Sequence, residues 1–379
     1  MNTKPLTAVQ RFQAGSSHYS SYRSGVSLHS HTMHSKERLG RLPTYIDKFP
    51  IGGYIIEREL GRLHLYEGWN FDFKKYYWTP PLSPREAYEL ESGVIEKQLV
   101  LQPLVSLSDH DNIEAGQHLK MLGPTRDVPI SVEWTAPFGE TIFHLGVHNL
   151  PVARAGEWMC ALQEYTKNPS SAKLGQLLAG LSACPSVLVV VNHPYWAAEG
   201  IPSDVHRKVL KTFLAQYQPL LHALELNGMR SRRENREVLA LGQAMGMPVI
   251  SGGDRHGCEP NATLNLTSAT TFEAFVWEIR EERRSEILLM PQYFDPLPLR
   301  LLENTWHALA DAPGEFGRSH WMSRVFIEVN GETKALSQFT GTRFHRIVDK
   351  YRWLLALAAS PKLRPAFRLA FLGNEEGGL

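Results

Sequence analysis

From Gly25 onward, short apolar runs alternate with longer segments of helical period, and this rhythm restricts the chain to the α/β class more tightly than any other feature. The runs cover residues 26–28, 104–107, 128–132, 141–147, 187–191, 223–226 and 248–251, each suited to a buried strand. Between them the apolar spacing predicts helices over 83–97, 113–122, 158–165, 171–181, 203–217 and 231–245. Ser83 before Pro84 and Ser203 before Asp204 suit helix starts. Seven strand-like runs with interposed helices suggest a barrel or barrel-like sheet.

Three segments stand outside the rhythm. Residues 1–24 are polar and Ser-rich and read as a loose tail. Residues 38–80 form an insertion dense in aromatic side chains, among them Tyr45, Trp69 and Trp78. A bare loop of that length cannot hide its backbone polar groups, so a lid or a separate packing unit is expected. Residues 292–379 read as mostly helical, with candidate helices over 298–312 and 347–359. The expected organisation is a tail (1–24), a barrel (25–291, with the insertion at 38–80) and a helical C-terminal region (292–379).

The 40 basic and 39 acidic groups leave almost no net field, so nothing attracts nucleic acid or acidic membranes in bulk. No stretch approaches the roughly 18 apolar residues that cross a bilayer, and the N-terminus lacks a continuous apolar signal core. Cys160, Cys184 and Cys258 are far apart and in no CxxC arrangement, which speaks against a disulfide framework and for a reducing, cytoplasmic setting. The one compositional oddity is the count of 16 histidines, and their placement is informative.

Six of the runs end in side chains able to bind metal: His29 and His31, Asp109 and His110, Glu133, His193, Glu225, and Asp254 with His256. The fourth run carries His144 and His148 along its length. In a parallel barrel all strand C-termini open at one rim, so these distant residues would converge. Imidazole and carboxylate ligation without thiolate suits Zn, Mn or Fe(II) better than calcium. So many ligands exceed the needs of one ion, and two or three divalent ions are implied.

These stretches resemble the polymerase and histidinol phosphatase (PHP) domain of metal-dependent phosphoesterases. "LHSHTMHS" looks like its HxH motif, "SDHDNIEAG" like its second motif, and "VEWTAPFGETIFH" like its Glu and His on the third strand. "VVVNHPYW" is similar to the strand that runs into His-Pro, and "SGGDRH" to the last ligand turn. The resemblance spans residues 25 to about 260 and implies a distorted (β/α)7 barrel with a two- or three-metal rim site and hydrolysis of phosphate esters. Carried over, it makes His29, His31, His110, Glu133, His144, His193, Asp254 and His256 the metal ligands, with Glu133 bridging. The family often adds an Asp or His five or six residues after the HxH. Lys36 and Glu37 stand there, so Glu37 or the neighbouring His34 would have to substitute, or one metal position is weak.

Other residues have less settled roles. His148 shares a strand face with His144 and is either a ligand or a polar residue lining the barrel. Asp109 is expected to orient an imidazole, and Glu225 either contacts substrate or supports a ligand, or is simply a polar strand end. Arg255, between two expected ligands, and Arg230, just past the sixth run, are candidates to hold a phosphate oxygen. His18, His118, His206 and His222 read as surface residues. "MRSRRENRE" reads as a solvated helix face rather than a nucleic-acid patch. A small phosphate ester or a nucleotide-like molecule is the expected substrate. Two rival readings remain: an amidohydrolase-type enzyme cleaving C–N bonds, disfavoured because no strand end bears a lysine, and a catalytically weak scaffold.

Overall fold

The computed structural model describes residues 6–40, 75–125, 127–311, 320–329 and 332–338, together with positions 58, 73, 352 and 365. In chain order come β1 (Thr7–Arg11), β2 (Ser24–Leu28), the short β3 (Glu37–Arg38) and β4 (Tyr77–Trp78), α1 (Pro84–Val94), β5 (Gln102–Ser106) and α2 (Glu114–Met121). Next are β6 (Val132–Phe138), β7 (Thr141–His148), α3 (Ala155–Lys167), α4 (Ser171–Ser182), β8 (Leu188–Val191), α5 (Ser203–Tyr217), β9 (Ala223–Asn227) and α6 (Arg232–Met245). The chain continues through β10 (Val249–Gly252), β11 (Thr263–Thr267), α7 (Phe272–Trp277), β12 (Ser285–Leu289), α8 (Leu297–Leu309), β13 (Val325–Val329) and β14 (Glu332–Ala335).

Local chemistry explains several boundaries. Ser83 and Glu86 form a reciprocal capping box at the start of α1, with Pro84 in its first turn. Ser231 caps α6 by accepting from the Glu234 amide, and Gly246 ends that helix at φ 61°, a left-handed conformation suited to glycine. Ser203 does not cap α5. Pro202 occupies the cap position, and no side chain there bonds a free amide.

Two five-stranded sheets dominate, in the orders β1-β12-β11-β2-β5 and β10-β9-β8-β7-β6. In the second sheet β7 runs against both neighbours, while β8, β9 and β10 are parallel. The sheets meet where β2 and β10 end, through the bridge Ser30–Arg255, and where β5 ends beside β6, through His110–Glu133. Backbone bonds reinforce both junctions: Asp254 N–H donates to His29 O at 2.6 Å, and Glu133 N–H to Asp109 O at 3.1 Å. Regular strand pairing does not run continuously round a closed barrel among the described residues.

Both faces of the central strands are dry. Leu188 and Val190 of β8 join Val26, Leu28, Ala223, Ile250 and the α7 residues Phe272, Phe275 and Val276 in one cluster. Val189 and Val191 face the other way, into a larger cluster with Leu162, Leu178, Phe213 and Leu214 of the flanking helices. Such two-sided burial explains why these strands read as unbroken apolar runs.

The structure corrects several expectations. Residues 7–11 of the expected tail form β1, paired in parallel with β12, and Tyr19 is buried. An edge strand with the polar sequence TAVQR carries little periodic signal, which is why it reads as a tail. The third strand begins at Val132 and runs on to Phe138, later than residues 128–132 suggested. The C-terminal region contains α8 as expected, but also β13 and β14, which join β4 and β3 in a small sheet ordered β14-β13-β4-β3. That region is therefore of mixed structure and is tied to both ends of the insertion. Most of the insertion, and the helix expected over 347–359, lie outside the described residues. No described helix is long and apolar enough to cross a membrane.

Candidate metal centre

The ends of the strands gather most of the expected ligands into one buried cluster. His29 and His31 follow β2, His110 follows β5, Glu133 lies in β6, His144 in β7, His193 just beyond β8, and Asp254 and His256 just beyond β10. His29, His193 and Asp254 have φ of 60°, 27° and 56°, left-handed conformations rare for such residues. Each costs about 1–3 kcal/mol and persists only where its surroundings impose it, which is typical of residues whose side chains must be aimed.

Glu133 is the hub and is fully buried. Its Oε2 lies 3.0 Å from His29 Nε2, 3.4 Å from His31 Nε2 and 3.2 Å from His110 Nδ1. Its Oε1 lies 3.0 Å from His193 Nε2 and 3.3 Å from His144 Nδ1. One carboxylate thus divides its oxygens between two sets of imidazoles. Asp254 Oδ1 adds a second acid, 3.7 Å from His29 Nε2, 3.5 Å from His31 Nε2 and 3.6 Å from His256 Nδ1. Glu37 supplies a third, with Oε2 3.2 Å from His256 Nε2 and 3.5 Å from His110 Nε2. Of the two substitutes weighed for the position after the HxH motif, Glu37 is the one that reaches the cluster.

Three overlapping groups have ligand atoms within 4.8 Å of one another: His31, Glu37, His110 and His256; His29, His31 and Glu133; and His110, Glu133 and His144. Surrounding groups fix the rings. Glu225 Oε1 sits 2.6 Å from His29 Nδ1, which keeps a proton on Nδ1 and turns Nε2 towards Glu133. The other Glu225 oxygen accepts from the His193 amide at 2.8 Å and from Asn227 Nδ2 at 2.9 Å. Asn192 Nδ2 donates to Glu133 Oε1 at 3.1 Å.

The electrostatics are those of a site that wants a cation. Burial alone would raise the carboxyls, but the facing imidazoles of His29, His110 and His144 hold Glu133 well below the usual range. His29 and His256 respond the other way. Burial opposes their protonation, yet the carboxylates around them win, raising His29 well above its ordinary value and His256 to about 9. His31 and His144, where burial dominates, fall to about 3 and about 4. Four buried atoms in this cluster, His29 Nε2, His31 Nε2, Glu133 Oε2 and His144 Nδ1, have no hydrogen-bond partner. Their close approaches lack hydrogen-bond alignment. A divalent ion among them would take the place of the protons that the carboxylates draw onto His29 and His256, and the N/O donor set suits Zn, Mn or Fe.

Other expected site residues go elsewhere. Asp109 does not orient an imidazole; its carboxylate accepts from the Thr32 amide at 2.5 Å and from Thr32 Oγ1 at 2.7 Å, and burial pushes its pKa up to about 6. His148 belongs to none of the three groups; it is hydrogen-bonded to Ser106 Oγ at 2.8 Å and packed near Phe272. His34 pairs with Glu114 at 2.9 Å, beside His118. The Arg255 guanidinium is 4% exposed, and its Nε is bound to Glu91 at 2.9 Å, so it is no open phosphate clamp. Arg230 stays on the rim, its Nη2 3.8 Å from Asp254 Oδ2 and its guanidinium 5.8 Å from the Trp196 ring. His206, expected at the surface, is buried between Thr141 Oγ1 and the Pro194 carbonyl.

Sequence reasoning missed Asn192, Asn227 and Trp196. Each lies within three positions of an expected ligand or of Glu225, and Trp196 packs its ring 4.8 Å from that of His144. Proximity to strand ends was the available signal.

No protein-family model and no curated protein matches the chain. Among solved structures, an amidohydrolase from Chromobacterium violaceum with bound sulfate and no metal is 15% identical, covering 47% of this chain and 84% of its own, with a TM-score of 0.32. A protein from Bifidobacterium adolescentis, provisionally described as a metal-dependent phosphoesterase, is also 15% identical and covers 54% of this chain and 92% of its own, with a TM-score of 0.33. Similarity this distant carries no conclusion about activity.

Proposed function

We propose that the chain is a metal-dependent hydrolase acting on phosphate esters, with His29, His31, His110, Glu133, His144, His193, Asp254 and His256 as metal ligands and Glu37 completing the set. The observation that carries this reading is the division of the Glu133 oxygens between two sets of imidazoles, with four facing atoms left without hydrogen bonds. Two or three divalent ions at such a site supply Lewis acidity towards a phosphoryl oxygen and towards water.

The chain's own residues do the rest. Glu133 holds its carboxylate between the two imidazole sets, and Glu225 keeps the His29 proton on Nδ1 so that Nε2 points inward. Arg230 offers a guanidinium at the rim for a substrate oxygen. A phosphate ester is favoured over an amide because none of the strand ends that bear the cluster carries a lysine, and Lys36 lies with its Nζ 5.3 Å from the Tyr77 ring centroid. The substrate proposed is a small phosphate ester or a nucleotide-like molecule.

The proposal extends to the fold and the setting. The two inter-sheet bridges support reading the sheets as parts of one distorted (β/α)7 barrel of PHP type over residues 25–291, with 38–80 as a possible cover and 292–379 as an appendage. Three free cysteines support a reducing, cytoplasmic setting.

The test combines metal analysis with a substrate screen. Protein purified without chelator should hydrolyse phosphomonoesters, phosphodiesters or nucleotides in a way that chelation abolishes and Mn, Zn or Fe restores. Turnover of cyclic amides without any phosphate-ester hydrolysis would move the assignment to C–N cleavage. A protein that binds no metal and turns over neither class would be the scaffold.

A further inference from the structure

We infer that Glu91, on α1 and outside the ligand set, is the positioning residue that ties the two ligand-bearing turns of the metal centre together. This rests on the metal reading above. Glu91 is 1% exposed and carries a carboxylate used only as an acceptor. From the His29–His31 side it accepts from Ser27 Oγ at 2.9 Å and from Ser30 Oγ at 3.5 Å. From the Asp254–His256 side it accepts from Arg255 Nε at 2.9 Å and from the Asn261 amide at 3.2 Å.

Ser30 and Arg255 are the residues between the paired ligands on each turn. They also form the backbone bridge between the sheets, and the His31 amide donates to the Arg255 carbonyl at 2.9 Å. Arg255 spends Nη1 on the Gly257 carbonyl at 2.7 Å, and Asn261 Nδ2 returns to Ser27 Oγ at 2.9 Å and to the Leu28 carbonyl at 3.0 Å. His29 and His31 point to the metal side while Ser30 points back to Glu91, and Asp254 and His256 flank an Arg255 that does the same.

The pairing places one negative charge beneath the turns to match the buried guanidinium. Removing either partner leaves the other charged and buried, a severe defect. A neutral amide at position 91 would also set an N–H₂ against the Asn261 amide or Arg255 Nε, neither of which can accept. The turns would then lose their common anchor, and the ligand atoms their register.

The test uses the full chain and Co²⁺ as a spectroscopic probe, with the melting temperature of the metal-free protein measured in parallel. Glu91→Gln should weaken Co²⁺ binding by about ten- to a hundredfold and alter the visible ligand-field spectrum of whatever binds. Should Glu91→Gln fail to fold, Arg255→Lys, which keeps the charge but loses the fork, should show a smaller loss of affinity with the same spectral change. Glu91→Asp should recover part of the affinity. Wild-type affinity and spectrum in a folded Glu91→Gln or Arg255→Lys variant would overturn the inference. A wild-type chain that binds no Co²⁺ would instead overturn the metal reading itself.

Discussion

The two ends of the strands use the same residue types to opposite effect. At the N-terminal ends of β8 and β9, His222 bonds the Val189 amide through Nδ1 at 2.8 Å and Ser182 Oγ through Nε2 at 3.3 Å. Arg280 gives three bonds to the carbonyls of Ser182, Cys184 and Val187 at 2.6–2.7 Å, closing the end of α4. Every named polar atom there has a partner. At the C-terminal ends, six histidines and three carboxylates meet with four buried atoms left over. Evolved proteins tolerate few such orphans, and a concentration of them marks a place where something else binds. Histidine content alone says little; the balance of donors and acceptors around each ring distinguishes structure from chemistry.

The sharpest way to break this comparison is to remove the hub. Glu133→Gln should cost roughly a thousandfold or more in phosphate-ester turnover and most of the bound metal, measured by steady-state assay and elemental analysis. His222→Gln, at the other end, should retain its metal complement; if it loses metal as Glu133→Gln does, the two ends are not distinct. A smaller effect is expected one layer out. Glu225→Gln should lower metal affinity by about ten- to a hundredfold, because a single amide oxygen cannot accept from His29 on one side and from His193 and Asn227 on the other; titration with a metallochromic competitor would read it. Smaller still, Arg230→Ala should raise KM about tenfold while metal content stays constant. A fall in metal content with unchanged KM would take Arg230 out of substrate binding.

The mildest test concerns pH. Burial lowers His148 from 6.5 to about 3, and burial with the nearby Arg280 lowers His222 likewise to about 3. Both are neutral when folded and take up protons more readily unfolded, so their contribution is full above pH 6.5 and is lost as pH falls from there toward 3. Each should account for about 1 kcal/mol of stability per pH unit in that window. Chemical denaturation of metal-free protein at several pH values should show a shallower slope for His148→Gln; an unchanged slope would remove His148 from the acid response.

Much of this was legible in the sequence where burial is two-sided. β8, with LVVV packed against both interior clusters, announces itself by composition. β1 and β14 do not, because an edge strand exposed on one face carries polar residues and borrows its order from a neighbour. The clustering of the candidate ligands was readable because strand C-termini share an end in a parallel arrangement, which converts sequence position into spatial convergence. Arg255 was misread for the same reason. Adjacency to candidate ligands placed it at the site, but its side chain turns the other way, to a glutamate on a helix that no local pattern connects with it. Glu37 over His34 was likewise undecidable from spacing, since the turn at Thr32 sets which of them faces inward.

The central claim is that imidazoles and carboxylates from distant stretches share cations around Glu133. Stripping the protein with chelator and titrating it with Zn²⁺ or Mn²⁺, with stoichiometry read by equilibrium dialysis, tests it directly. Two or three ions bound per chain, lost in Glu133→Gln, is the result predicted. A folded, chelator-treated chain that takes up no divalent ion would contradict it.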